Sequence, residues 1–414
     1  MYKRVMAVDV FLWGRHVGRI APDFGSYYQF QYDPDFVRSG VQIAPICMPL
    51  RDEIYKCVNF DLPKGAFSGL PGVFADSLPD SFGNALIDKW MDEQKIPTSI
   101  VSTLDRLAYV GSRGMGALTY EPARGPNTER PSAIEMRQLV EEARRALNGR
   151  LAADTGADAL REIIRVGTSA GGAQAKAVVG WNPKTDSFLA GDCDLPPDYE
   201  HWLIKFTPQG LPSAGEEEYE VYQKARAAGI AMSECRLYEL DGVKHFMTRR
   251  FDRDGNRRHL VQTLCALRHL PSGGPRTLYS YDILFETADT LGLGYEALEE
   301  IFRRMAFNVY NGEMDDHTKN FSFLMREGGR WELAPAYDLT GCHFSPADSA
   351  WGDWQNQHAL SVNGKFSHIT DDDLLAVGER YGIGTASKVL ARVKEACVSM
   401  HKRGQKTKDE RQRL

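Results

Sequence analysis

Residues 308–341, NVYNGEMDDHTKNFSFLMREGGRWELAPAYDLTG, constrain this chain more than any other stretch. Asp315 and Asn320 lie five residues apart, two short apolar runs follow, and Asp338 closes the segment. The same separation joins the Asp and Asn of a protein-kinase catalytic loop. There the Asp accepts or orients the proton of the acceptor hydroxyl, and the Asn carboxamide oxygen holds a metal ion. The runs 321–325 and 330–333 flank Arg-Glu-Gly-Gly, which reads as a hairpin turn between two strands. A hairpin returns the chain to its start, so Asp338 is expected beside Asn320. A carboxylate and a carboxamide converging there form a hard-oxygen site suited to Mg²⁺ and nucleotide phosphates. Asp, Asn and His also populate turns because their short side chains cap backbone groups. A second half-site is therefore needed.

That second half lies between residues 163 and 251. Gly167-Thr168-Ser169-Ala170-Gly171-Gly172-Ala173-Gln174-Ala175-Lys176 is a glycine-rich loop leading into the strand AVVGWN. It matches neither a Walker A motif nor Gly-x-Gly-x-x-Gly. Glycines let backbone amides approach phosphate oxygens closely, and a plain hairpin turn accounts for them equally well. Next, His201-Trp202-Leu203-Ile204-Lys205-Phe206 reads as a strand with one lysine among apolar neighbours. A buried ammonium must be paired, and kinases place such a lysine to meet nucleotide phosphates and a helix glutamate. The helix expected over 216–228, ending at Gly229, offers Glu218 as that partner. Glu216 and Glu217 need only favour the helix N-terminus.

The remaining chain is read around these halves. Residues 1–122 are strand-rich, with a turn expected at Gly14-Arg15, and Asp80 opens a helix reaching Met91. LAYVGSRGMGALTY reads as strand–turn–strand. Gly111, Gly114 and Gly116 read as tight-turn glycines, since no helix N-terminus follows to meet a phosphate. Residues 122–131 form a linker, and a helix is expected from Ser132, with Glu135 completing a capping box, to about residue 148. Further helices are expected over 280–290, 296–311, 371–381 and 387–400, before a short basic, solvated tail. The expected division is a β-rich part (1–124), a lobe with the glycine-rich loop and lysine (125–250), and a helical lobe with the catalytic loop (251–414).

Composition excludes several classes. Apolar content of 43% and charged content of 26% are those of a globular protein, with room for two or three domains. A net charge of −6 argues against the whole chain binding nucleic acid electrostatically. The start alternates like a strand and is broken by Asp9, so no signal peptide is expected. No apolar run approaches a membrane span. Seven cysteines without a Cys-x-x-Cys pair point away from a disulfide framework or zinc site and towards a cytoplasmic location.

The segments GTSAGGAQAKA, WLIKF, EEEYEVYQKARAAGI, RRFDR, MDDHTKNFSFL and LAPAYDL occur in this order. Together they resemble the HipA family, bacterial serine/threonine kinases that act as toxins of toxin–antitoxin pairs. FADSLPD and VGSRGMGALTY resemble that family's β-rich N-terminal domain, so the similarity runs from about residue 5 to 345. It implies an α+β, HipA-like kinase fold with a nucleotide cleft and a helical C-terminal lobe, using ATP and Mg²⁺. By resemblance Asp315 would be the catalytic base, with Asn320 and Asp338 as Mg²⁺ ligands. Lys205, paired with Glu218, would bind ATP phosphates, and Gly171, Gly172, Gln174 and Lys176 would belong to the nucleotide loop. Ser169 would be the regulatory serine that takes up phosphate, and His317 and Lys319 would support the catalytic loop. The implied partners are a protein substrate, translation-related in one reading, and a small helix-turn-helix antitoxin through which DNA is contacted; no membrane is implied.

Two departures stand out. Arg249-Arg250-Phe251-Asp252-Arg253 replaces the family's Glu-Arg-Phe-Asp-Arg, and His259-Leu260-Val261-Gln262 replaces a His-Glu-Asp run. They bear on substrate identity more than on phosphoryl transfer. A small-molecule kinase on the same fold and a non-catalytic corepressor partner of a DNA-binding antitoxin remain as alternatives.

Overall fold

The computed structural model describes residues 2–63, 65–126, 131–147, 163, 165–167, 174–271, 279–341 and 357–411. The first sheet is antiparallel and built from β1 (Val8–Leu12), β2 (Arg15–Pro22), β3 (Tyr28–Tyr32), β4 (Ile54–Lys56) and β5 (Leu118–Glu121), in the order β4-β3-β2-β1-β5. Val8, Val10 and Leu12 are buried while the residues between are half-buried, the period-two signature of a strand with one core face. The β1–β2 turn falls on Trp13 and Gly14, one residue earlier than expected. Both have positive φ, 50° and 74°, which suits the twist of a two-residue hairpin.

The second sheet is also antiparallel: β6 (Lys176–Asn182), β7 (Ser187–Ala190), β8 (Glu200–Lys205), β9 (Cys235–Leu240) and β10 (Val243–Arg249), in the order β7-β6-β8-β10-β9. All seven β6 residues are buried, as expected of a strand covered on both faces. The helix Ala214–Ala228 packs against β9 and β10. It stops at Gly229, whose φ of 90° lets its amide reach the Ala225 and Arg226 carbonyls.

Beyond a short hairpin of β11 (Arg253–Asp254) and β12 (Arg257–Arg258), a three-stranded sheet joins β13 (Leu260–Thr263), β14 (Ser322–Arg326) and β15 (Arg330–Leu333). The expected β14–β15 hairpin turns on Gly328 and Gly329, both at positive φ. Helices Asp282–Thr290, Tyr295–Asn311, Asp371–Arg380 and Ala386–Arg411 complete an α+β architecture, the last continuing through residues expected to form a short tail. Among the described residues, no helix is long and apolar enough to cross a membrane.

Two further local expectations fail for identifiable reasons. Residues 103–110 form a helix, not the first strand of LAYVGSRGMGALTY. Ser102 and Asp105 make a reciprocal capping box that starts it, and Leu104, Leu107 and Ala108 bury one helical face. Gly111 and Gly116 do adopt positive φ, in keeping with tight turns. The next helix starts at Met136, not Ser132. Glu135 itself accepts from the Arg137 and Gln138 amides, while the Ser132 hydroxyl is 3.1 Å from Arg165 Nη1.

Three apolar cores underlie these layers, and they interleave along the chain. The first sheet's core includes Leu260 and Met325 from the third sheet. The second sheet's core takes Phe82, Leu86, Ile87 and Met91 from the helix Ser81–Glu93, far before residue 124. The third gathers Ile301, Phe302 and Met305 with Val389, Leu390 and Val393.

Candidate active site

Lys205 ends β8, and the register sets it opposite Lys176 of β6 on one side and Phe246 of β10 on the other. Its ammonium touches Glu218 of the helix Ala214–Ala228 at 2.5 Å and Asp338 at 2.5 Å. Lys205 and Glu218 are almost wholly buried, whereas the Asp338 side chain is 40% exposed. Burial alone would strip the charge from Lys205, but Asp338 and Glu218 outweigh it and hold the ammonium protonated. Lys205 in turn holds the Asp338 carboxyl well below the usual range. Burial pushes Glu218 the other way, upward, against the pull of Lys205. Lys205 is thus held between two carboxylates, Glu218 buried on the helix and Asp338 partly open to the cleft.

Asp338 sits at φ 56°, a region an aspartate tolerates better than most residues. The approach of its segment to the loop at 313–320 is built by Glu313. This buried carboxylate accepts from the Thr340 and Gly341 amides, each at 2.7 Å, and from the Asp315 amide at 3.2 Å. Burial pushes its pKa up to about 7 despite those three donors.

Within the loop, adjacent aspartates differ completely. The Asp315 side chain is 61% exposed and stands 3.9 Å from His317 Nε2. Its carbonyl accepts from the Asn320 carboxamide at 2.8 Å and from the His317 amide. The Asp316 carboxylate is buried and accepts from Tyr281 Oη, His358 Nδ1 and the Ala359 amide. The Lys319 carbonyl accepts from Tyr337 Oη, which also meets the Ser322 hydroxyl. These bonds hold the start of β14 against the segment that carries Asp338.

The structure therefore brings Asp315, His317, Lys319, Asn320, Asp338, Lys205 and Glu218 to one place. Lys176 is also there: it is buried, and its ammonium is 3.8 Å from Asp80, the cap of the helix Ser81–Glu93. Burial draws its pKa down. Gln174 lies farther along the same edge, donating to the Phe206 carbonyl at 3.3 Å. Ser169, Gly171 and Gly172 lie outside the described residues, as does Thr168.

Whether a hard cation suits this place can be judged from its lining. Asn308, Asn320, Asp316 and Asp338 line one narrow cavity. Asn308 Oδ1 is buried and lacks a hydrogen-bond partner among the described residues. An orphaned carboxamide oxygen beside a carboxylate and a second carboxamide is the donor chemistry that Mg²⁺ takes. The residues fit. Among the described residues no group of three His, Cys, Asp or Glu stands ready to hold a metal ion by itself.

Sequence reasoning gave Glu313, Asp316 and Asn308 no role in the site and read Asp80 only as the start of a helix. Glu313 and Asp316 sit inside the quoted stretch, but nothing local distinguishes a carboxylate that braces backbone from one that faces substrate.

Comparison with known proteins extends this picture. Residues 8–121 match the family model of the HipA N-terminal domain, and residues 168–403 match that of the HipA-like C-terminal domain. A Haemophilus influenzae protein, provisionally named a kinase, is 26% identical over 240 residues, covering 51% of this chain and 68% of that protein. A chain in the Shewanella oneidensis MR-1 complex of the toxin–antitoxin proteins HipA and HipB with their operator DNA aligns with a TM-score of 0.66. Its identity is 18%, over 95% of this chain and 90% of that one, so the likeness is one of fold.

Proposed function

The chain belongs to the HipA family, and from that membership we propose an ATP- and Mg²⁺-dependent protein serine/threonine kinase acting as the toxin of a toxin–antitoxin pair. The observation that carries the reading is the Lys205–Glu218–Asp338 cluster, which joins the second sheet to the loop bearing Asp315 and Asn320. In this reading Lys205 holds nucleotide phosphate oxygens while Glu218 keeps it charged and in place. Asp338, Asn320 and Asn308 are the residues that would hold Mg²⁺ through their side-chain oxygens. Mg²⁺ bound there would offset the negative charge that develops on the transferred phosphoryl group. Asp315, exposed and linked through its carbonyl to Asn320, accepts the proton of the incoming hydroxyl. Lys176, opposite Lys205 in the sheet, would supply a second cation for the phosphates, and His317 and Lys319 would support the loop.

The partners proposed are a protein substrate and a small helix-turn-helix antitoxin that carries the DNA contacts. Ser169 is proposed as the regulatory site. A phosphate there would add a charge of about −1.5 to −2 to the glycine-rich segment.

The test is labelled ATP incubated with purified protein and with lysate, comparing wild type with Asp315→Asn. Label in a discrete protein band, absent with Asp315→Asn, is the expected result, with intact mass reporting any phosphate on residues 168–169. Label confined to a small molecule would mean a small-molecule kinase. No label at all would leave the corepressor reading.

A further inference from the structure

Asn308, near the end of the helix Tyr295–Asn311, has a carboxamide with unequal ends. Its Nδ2 donates to Tyr281 Oη at 2.9 Å, whereas its Oδ1 is buried and has no hydrogen-bond partner among the described residues. Turning the amide over would exchange the two atoms, so some group must hold it this way round. The surroundings of Tyr281 supply that group. Its hydroxyl donates to the Asp316 carboxylate at 2.7 Å, and a carboxylate only accepts. With its one proton spent on Asp316, the tyrosine oxygen can only accept from Asn308. Of the two amide atoms only the nitrogen donates, so the orientation of Asn308 follows from that of the hydroxyl.

The rest of the network keeps these groups still. Asp316 also accepts from His358 Nδ1 at 2.9 Å and from the Ala359 amide at 2.6 Å. Tyr281 is fully buried, its amide donates to the Ser361 carbonyl at 3.0 Å, and its ring meets Phe321 edge-on with centroids 5.7 Å apart. Residues from four separate stretches thus form one run of hydrogen bonds that ends on an unsatisfied oxygen. Asn308 lines the cavity it shares with Asn320 and Asp338, and with Nδ2 taken by Tyr281 the oxygen is the amide atom left for that cavity. Other polar groups of the lining are spoken for, Glu313 by three backbone amides and Arg304 by Glu300 at 2.9 Å. A buried acceptor without a donor is costly, and a hard cation is the ligand that satisfies it.

We propose that Tyr281 is a positioning residue for the cation site: by accepting from Nδ2 it presents Asn308 Oδ1 to Mg²⁺, while Asp316 fixes the direction of its hydroxyl. This rests on the reading of the cavity as the cation site and adds the group that orients one of its ligands without touching the ion. Partners of that kind govern metal affinity by about 10–100-fold.

The experiment is an electron paramagnetic resonance titration of the full chain with Mn²⁺ alone, an ion that takes the same oxygen ligands, so the readout is independent of phosphoryl transfer. Wild type should bind Mn²⁺ and Asp338→Ala should lose it; failure of either overturns the cation reading and this proposal with it. Tyr281→Phe, which keeps the ring in its packing, and Asn308→Ala should each weaken Mn²⁺ binding by about tenfold or more. The decisive variant is Tyr281→Phe combined with Asn308→Asp. A carboxylate offers oxygen from either end and needs no orienting, so the double variant should regain Mn²⁺ affinity to within about threefold of wild type. Its urea midpoint should stay as low as that of Tyr281→Phe, because the exchange does not restore the lost hydroxyl. With Asp338→Ala behaving as expected, the proposal alone is overturned if Tyr281→Phe or Asn308→Ala binds Mn²⁺ as wild type does. It is equally overturned if the double variant binds no better than Tyr281→Phe, since the tyrosine would then serve the fold and not the ligand.

Discussion

Asp315 and Asp316 are neighbours with opposite surroundings, and the difference yields a clean test. Asp316 satisfies three donors in a dry setting, so Asp316→Asn should lose roughly 1–3 kcal/mol of stability. Asp315→Asn, at an exposed side chain, should leave the urea midpoint nearly unchanged while removing phosphoryl transfer. Glu313 gives a pH signature. Its pKa rises from an ordinary 4.5 to about 7 in the fold, chiefly through burial. Between those values the native state binds more protons than the unfolded chain, so stability falls as pH rises from about 4.5 to about 7. The full contribution is on the order of 3 kcal/mol. Denaturant titrations at pH 5 and pH 8 should show that decline in wild type and a flatter profile in Glu313→Gln. An identical slope in both proteins would remove Glu313 as its source.

At the scale of elements, the joint between β8 and the helix Ala214–Ala228 rests on a buried ion pair. Lys205→Met leaves Glu218 buried without its cation, a change that typically costs about 3–5 kcal/mol. Adding Glu218→Gln should recover most of that loss, which equilibrium unfolding of the two variants would reveal. Asp338 behaves differently because its side chain is partly open to the cleft. Asp338→Ala should keep the melting temperature close to wild type yet slow phosphoryl transfer by about 10³-fold or more. Near-normal turnover in that variant would detach Asp338 from the chemistry.

Across the whole molecule, Asp252 acts as a clasp. Burial works against its carboxylate, but Arg250 and Arg253 hold it well below the usual range, and it accepts from the Gly116 amide at 2.8 Å. Arg253 and Arg258 grip the carbonyls of Gly114 and Gly116 around the same point. The turn between the helix Thr103–Val110 and β5 is thereby tied to the segment leading into β13. Asp252→Asn would leave the guanidiniums without their shared carboxylate, again a loss of about 3–5 kcal/mol. Hydrogen exchange should then quicken at residues 111–118 and 250–260 together. Quickening in only one of these segments would mean that the clasp does not couple them.

Local signals in the sequence were enough for the β14–β15 hairpin, the end of a helix at Gly229 and its start at Asp80. Each depends on residues within a few positions, namely glycines with positive φ or a carboxylate that reaches the next turn's amides. The spacing of Asp315 and Asn320 was legible for the same reason. The alternation in LAYV misled because four residues fit either period, and the capping box at Ser102 decided for helix. Tertiary structure alone decided which of two adjacent aspartates is buried. It also brought Asp338 onto a lysine 133 residues away and set Glu313 under Thr340 and Gly341. Those outcomes turn on how far each charge is withdrawn from water and which distant group compensates it, and no short stretch of chain encodes either.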